Sequence, residues 1–223
     1  AQPLATAGFL DFPMSDSTTR IFLDHAATTA VLPEARAALE RGYDAWANPS
    51  SPHAEGRRAR ALLEEARTTL AEVLGWRHDV IFTSGASEAI EIATARARIT
   101  GRALAATEHA IVPHAMGPDA RVIPVGVDGL IHEEALDSIL ADGPALVAIQ
   151  QVNNETGILQ PLDRLAQKIR EAGSLLLADC AQSAGKYPLP DADFIALSAH
   201  KLGGPPGIGA LLVRDLGMLE PVG

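Results

Sequence analysis

The chain has a single cysteine, Cys180. No internal disulfide can form, which fits a reducing compartment and points to the cytoplasm. Basic residues are scarce: 18 Lys and Arg stand against 28 Asp and Glu, leaving a net charge of −10. That balance argues against nucleic acid or an anionic membrane as the main partner. No apolar run reaches the length of a membrane span. No Lys or Arg precedes Arg20, so the charged start of a secretory signal is missing. There is no internal repeat and no low-complexity segment.

What is present is a soluble globular composition, 47% hydrophobic and 21% charged over 223 residues. That length suffices for one large domain with a substantial core. Met14 is a plausible start, which makes residues 1–14 an upstream extension or a cloning remnant and 15–223 the domain proper.

The periodicity alternates. Strands are predicted at 80–83, 103–107, 121–125, 146–150, 174–179, 194–197 and 210–213. Helices are predicted at 33–46, with Pro33 in the first turn, and at 54–74, 87–99, 131–141 and 162–172. In the 54–74 helix, Ala59, Leu62, Leu63, Ala66, Leu70, Val73 and Leu74 share one face, and Gly75 suits its C-cap. Its arginines read as a solvated face. Strands alternating with helices imply βαβ units: an α/β fold with a mainly parallel seven-stranded sheet and helices on both faces.

In such a sheet ligands bind at the carboxyl ends of the strands. Five of the predicted ends carry small, polar or ionisable groups. Ser84-Gly-Ala-Ser87 opens a helix and offers free amides and a hydroxyl to a phosphate, although an ordinary Ser N-cap reads the same way. His109 follows another strand and could lie against a ring, move protons or simply be a satisfied polar residue. Asn153 and Asn154 follow a third. Asp179 closes an apolar run; it either holds the proton on a pyridine nitrogen or caps the next turn. Ser198-Ala-His-Lys201 precedes a Gly/Pro-rich turn. A lysine there is either a loop lysine or a partly desolvated amine fit for Schiff-base chemistry. Of the three lysines, Lys168 sits in a predicted helix and Lys186 in a Gly-Lys-Tyr-Pro turn, which leaves Lys201 at the end of a buried strand. Phosphate cradle, ring-nitrogen acid, imidazole and buried lysine together describe pyridoxal phosphate.

The motifs that carry these groups, in order, are Phe22-Leu-Asp-His-Ala-Ala-Thr-Thr29, Asn48-Pro-Ser-Ser51, Phe82-Thr-Ser-Gly-Ala-Ser-Glu88, Thr107-Glu-His109 and Val152-Asn-Asn-Glu-Thr-Gly157. Asp179-Cys-Ala-Gln182 with Gly185-Lys186 follows, then His200-Lys-Leu-Gly-Gly-Pro-Pro-Gly-Ile-Gly-Ala210. The chain resembles the class V, fold-type I pyridoxal-phosphate enzymes, and within them the cysteine desulfurases of the NifS/IscS type.

The resemblance implies roles by position. Lys201 would bond the cofactor and move the substrate's α-proton. His109 would stack on the ring and act in acid–base steps, so Lys201 and His109 are the catalytic candidates. Asp179 would pair with the ring nitrogen and Gln182 with the ring hydroxyl. Asn154 would also touch the cofactor, and Ala86, Ser87, Ser198 and His200 would hold its phosphate. No metal site is implied. The activity implied is conversion of L-cysteine to L-alanine, with persulfide sulfur passed on for iron–sulfur cluster assembly. The implied partners are a second copy in the full-length form and an iron–sulfur scaffold or other sulfur acceptor. A selenocysteine lyase, an aminotransferase of the same class, or a non-catalytic remnant are the other readings. The resemblance also implies that the smaller C-terminal domain and the loop with the nucleophilic cysteine are missing. Cys180, beside Asp179, reads as a small packing residue.

Overall fold

The computed structural model describes residues 21–222; the expectation for residues 1–14 lies outside them. Seven strands form one sheet: β1 (Asp79–Thr83), β2 (Gly101–Ala105), β3 (Arg121–Ile123), β4 (Ala145–Gln150), β5 (Leu175–Asp179), β6 (Phe194–Ser198) and β7 (Gly209–Val213). Their order is β1-β7-β6-β5-β4-β2-β3. The run from β6 through β5, β4 and β2 to β3 is parallel, and β7 runs antiparallel to both β6 and β1. The α/β reading with a mainly parallel seven-stranded sheet is therefore correct.

The strands are apolar on both faces because both faces are covered. Val147 and Ile149 of β4 pack into one core with Leu136, Ile139 and Leu140 of α5 (Glu133–Ala141) and Leu165 and Ile169 of α6 (Leu162–Glu171). Leu146 and Ala148 of the same strand point the other way. They meet Ala89, Ile90 and Ala93 of α3 (Ala86–Arg96) and Val112 and Met116 of α4 (Ile111–Met116). Period-two alternation thus splits every strand but the edge strand β3, where Val122 is exposed, between two cores. Each fully buried Leu or Ile contributes about 2 kcal/mol. At the amino ends of the central strands β5 and β6, the buried Asp193 carboxylate accepts from the Leu176 amide at 2.9 Å and from Arg214 Nε at 3.2 Å.

The remaining helices, α1 (Pro33–Tyr43) and α2 (Ala54–Leu74), lie toward the N-terminus. His53 caps α2, its Nδ1 accepting from the Gly56 amide at 3.1 Å, and Gly75 closes it at φ 68°.

Several sequence expectations change, among them the 33–46 helix, which ends at Tyr43, and the strands expected at 103–107 and 121–125, which are Gly101–Ala105 and Arg121–Ile123. Helix α4 is not foreseen; Pro113 makes the segment look like a loop, yet proline in a first helical turn gives up no needed N–H. The 131–141 helix begins at Glu133, because Ile131 forms an antiparallel bridge with Val125 and the His132 amide donates to the Pro124 carbonyl at 2.8 Å. The 87–99 helix ends at Arg96, where Ala97 turns extended and bridges Leu219. The apolar face of α2 is buried only in part: Ala59 is covered, while Leu62 and Val73 remain 41% and 78% exposed. Helix α1 buries no residue.

Candidate active site

The carboxyl ends of β2, β4, β5 and β6 and the N-terminus of α3 converge on one cleft of about 510 Å³. Its lining includes Ala86, Ser87, His109, Asn154, Asp179, Gln182, Ser198, His200 and Lys201. All nine candidates from the sequence thus lie around a single cavity.

Lys201 ends a one-turn 3₁₀ helix, Ala199–Lys201, that begins where β6 stops. Partial burial pulls its amine below the ordinary lysine range, Asp179 pulls it back up, and Lys186 adds a smaller downward push. The other two lysines are placed differently. Lys168 on α6 is ion-paired with Glu133 and Asp137 at 3.2 and 2.8 Å. Lys186 donates to the Gln182 carbonyl at 3.1 Å on an exposed turn.

Asp179 closes β5. Burial raises its carboxyl pKa, opposed by the Ala181 amide at 2.9 Å and by Lys201 and His109. His109 follows β2, and its Nδ1 accepts from the Ile111 amide at 3.3 Å as α4 begins. That bond assigns the ring proton to Nε2 in the neutral form. Asn154 sits on a loop built by its neighbour: Asn153 Oδ1 accepts from the amides of Glu155 and Thr156 at 2.9 and 2.7 Å.

On the opposite side, α3 points its N-terminus into the cleft. Glu88 reaches back to the Ser84 amide at 2.5 Å, which lowers its pKa and fixes the entering turn. Ser87 in the first turn of α3, Ser198 and His200 complete this corner. Burial, then the charge of Lys201, holds the His200 imidazole below its ordinary value.

The sequence reading assigned no site residue to 21–29, yet Ala26 and Ala27 form part of the cleft wall. The Thr29 amide donates to the His200 carbonyl at 2.7 Å. His200 Nδ1 meets Thr28 Oγ1 at 3.2 Å, and Gln182 Nε2 donates to the Ala26 carbonyl at 2.8 Å. Ala26 and Ala27 line the cleft directly. The signal was the run of small residues Ala26-Ala-Thr-Thr29, which lets backbone approach backbone. Gln150 also lines the cleft, hidden in the sequence as the last residue of an apolar strand. Cys180 does not line it. The thiol is fully buried in the core, 3.5 Å from Gln151 Oε1, and burial pushes its pKa strongly up.

The donor set fits a phosphorylated pyridine aldehyde: a helix N-terminus with hydroxyls at one end, a carboxylate in the floor, and a partly desolvated amine beside that carboxylate.

The sequence profile of the family described as Aminotransferase class-V matches residues 21–223. A cysteine desulfurase of Cereibacter sphaeroides is 37% identical, covering 91% of this chain and 57% of that protein. A putative cysteine desulfurase NifS of Bacillus subtilis is 34% identical, covering 91% and 56%. Among solved structures, the NifS-like protein from Rickettsia africae superposes with a TM-score of 0.82 at 30% identity, covering 90% of this chain and 59% of that one. SspA in complex with cysteine gives 0.78 at 31%, covering 89% and 63%. The chain spans a little over half the length of the curated relatives it matches.

Proposed function

We infer, since the chain belongs to the aminotransferase class-V family, that its cleft is a pyridoxal-phosphate site of a cysteine desulfurase. The observation that carries this reading is the placement of Lys201: of three lysines it alone lines the cleft, which Asp179 also lines. In the family the cofactor serves as an electron sink for charge that develops at the substrate's α-carbon. The chain's own residues supply the rest. The α3 amides, Ser87, Ser198 and His200 hold the phosphate. Asp179 keeps a proton on the ring nitrogen. Gln182 would hold the ring hydroxyl, His109 would stack on the ring, and Asn154, on the loop after β4, would also hold the ring; all three line the cleft. Lys201 would anchor the cofactor, and its Nζ, pulled below the ordinary lysine range by partial burial, would be the group that takes the α-proton.

The reaction proposed is L-cysteine to L-alanine, with sulfur leaving as a persulfide for iron–sulfur cluster assembly, in the cytoplasm. Among the described residues no helix is long and apolar enough to cross a membrane. Ile21, Leu23, Tyr43 and Trp46 are each more than three-quarters exposed, which supports pairing with a second copy. A sulfur acceptor such as an iron–sulfur scaffold would complete the transfer. The remnant reading draws on Cys180: the one thiol of this chain lies in the core and cannot receive sulfur in the cleft.

The test is attachment. After incubation with pyridoxal phosphate and borohydride, peptide mapping should find the cofactor's mass on Lys201, and Lys201→Ala should lose it. Attachment that persists unchanged on another residue of that variant would sink the assignment.

A further inference from the structure

Glu108 stands in the Thr107-Glu-His109 motif, and the cleft described above gives it no role. The residue is partly covered, and its carboxyl oxygen Oε2 is buried next to Gln150, which lines the cleft. One oxygen, Oε1, accepts from the Gln150 amide at 2.6 Å. The contact is reciprocal, because Gln150 Nε2 donates back to the Thr107 carbonyl. Asn153 Nδ2 donates to that same carbonyl at 3.1 Å. The turn that carries His109 is therefore clamped to the end of β4 and to the loop that presents Asn154.

The clamp reaches Asp179 as well. Gln150 and Asp179 are register partners on β4 and β5, and the Gln151 amide donates to the Asp179 carbonyl at 2.9 Å. The second carboxyl oxygen of Glu108, Oε2, is buried and has no hydrogen-bond partner among the described residues. A buried anionic oxygen without a donor is costly. A neutral acid avoids most of that cost.

We propose that Glu108 is a positioning residue of this cleft: as an uncharged carboxylic acid it locks the His109 turn onto β4 and leaves Asp179 as the charged member of a carboxyl pair. The inference rests on the cofactor-site reading above. Burial raises the pKa of both carboxyls, and adjacent carboxyls do not both ionise readily. Their partners decide which keeps the proton. Asp179 has the Ala181 amide, and Lys201 and His109 favour its anion. Glu108 has one amide and no cation; burial, opposed by the Gln150 amide and joined by the smaller effect of the Asp179 charge, pushes its pKa up to about 8. A single negative charge, facing the cleft, matches a single ring-nitrogen cation.

The test is a carboxyl titration of the full chain without cofactor, labelled with ¹³C at Glu and Asp side chains and followed by NMR from pH 4 to 9. Glu108→Gln assigns the Glu108 signal, and Asp179→Asn assigns that of Asp179. We expect Glu108 to stay protonated at pH 7 and its midpoint to fall in Asp179→Asn. Pyridoxal-phosphate affinity gives the second readout. Glu108→Gln, which keeps the acceptor for Gln150, should bind nearly as wild type. Glu108→Ala should bind about tenfold weaker, the size of one lost buried hydrogen bond. A Glu108 ionised at pH 7, an Asp179 that holds the proton instead, or a midpoint unmoved in Asp179→Asn would overturn the proposal. Failure of wild type to bind pyridoxal phosphate would sink the cofactor reading, while the titration still decides the charge state of Glu108.

Discussion

Gly209 lies so close to Gly85 that a Cβ built on it would stand 2.5 Å from the Gly85 Cα and 2.5 Å from the Leu197 carbonyl oxygen. Both neighbours are backbone, so neither can swing aside. Glycine at the start of β7 is what lets the Ser84–Gly85 turn settle over the sheet and aim α3 into the cleft. Gly209→Ala should displace that turn. We expect affinity for pyridoxal phosphate to fall about tenfold or more, with a smaller loss for pyridoxal lacking the phosphate. Equal losses for both ligands would show that Gly209 acts on the whole fold rather than on the phosphate corner.

Asp179→Asn separates attachment from chemistry. The amide is nearly isosteric but cannot stabilise a cationic ring nitrogen. Cofactor should still attach at Lys201. Exchange of the substrate's α-hydrogen for deuterium should slow by about 100-fold, the scale of a lost acid–base or charge-stabilising group. Unchanged exchange would reduce Asp179 to a cap on the Ala181 amide.

Much of the fold and the site could be read from the sequence because buried parallel strands leave an unmistakable pattern. Leu175 to Asp179 and Phe194 to Ser198 are apolar runs that end in polar groups, so strand, sheet edge and candidate residue come from the same few letters. What escaped reading depends on contacts between distant segments. Ala26 and Ala27 become part of the cleft wall only because Thr29 and Thr28 bond to His200, far along the chain. Glu108 gains its character from Gln150 and Asp179 on two other strands. The α2 pattern was legible, but periodicity says which residues share a face and not whether anything covers it. Leu62 and Val73 show the difference.

Glu108 should also leave a mark on folding stability. Its ordinary pKa is 4.5, and in the folded chain it rises to about 8. Between those values the folded state holds a proton that the unfolded state has released. Stability must therefore fall as pH rises through that window, by at most about 1.4 kcal/mol per pH unit for one proton. Below about pH 4.5 the contribution is complete, and above about pH 8 it is gone. Glu108→Gln has no proton to lose, so its urea-unfolding free energy should decline less steeply from pH 5 to 8. Parallel profiles for the two proteins would show that Glu108 is already charged in the fold.

Sulfur transfer sets the last expectation. In the proposed reaction, loss of the α-proton and stabilisation of the resulting charge would call on Lys201, Asp179 and the residues at the N-terminus of α3, all of which line this cleft. Removing sulfur from cysteine needs more: a thiolate that can reach the substrate's sulfur. Thiol reactivity follows ionisation and access together, and Cys180 has neither. Its side chain is fully buried, outside the cleft lining, and its pKa is pushed up first by that burial and then by the charge of Asp179. The 223-residue chain should therefore exchange the α-hydrogen of cysteine without sustained release of alanine, even with a reductant present. Cys180→Ala should behave the same way, apart from a modest loss of stability from the small cavity it leaves. The same assay on a protein extended through the natural downstream sequence should restore turnover if that sequence brings a cysteine to the cleft. Sustained alanine production by the 223-residue chain, abolished in Cys180→Ala, would make Cys180 the sulfur acceptor and would require the core around it to open during catalysis.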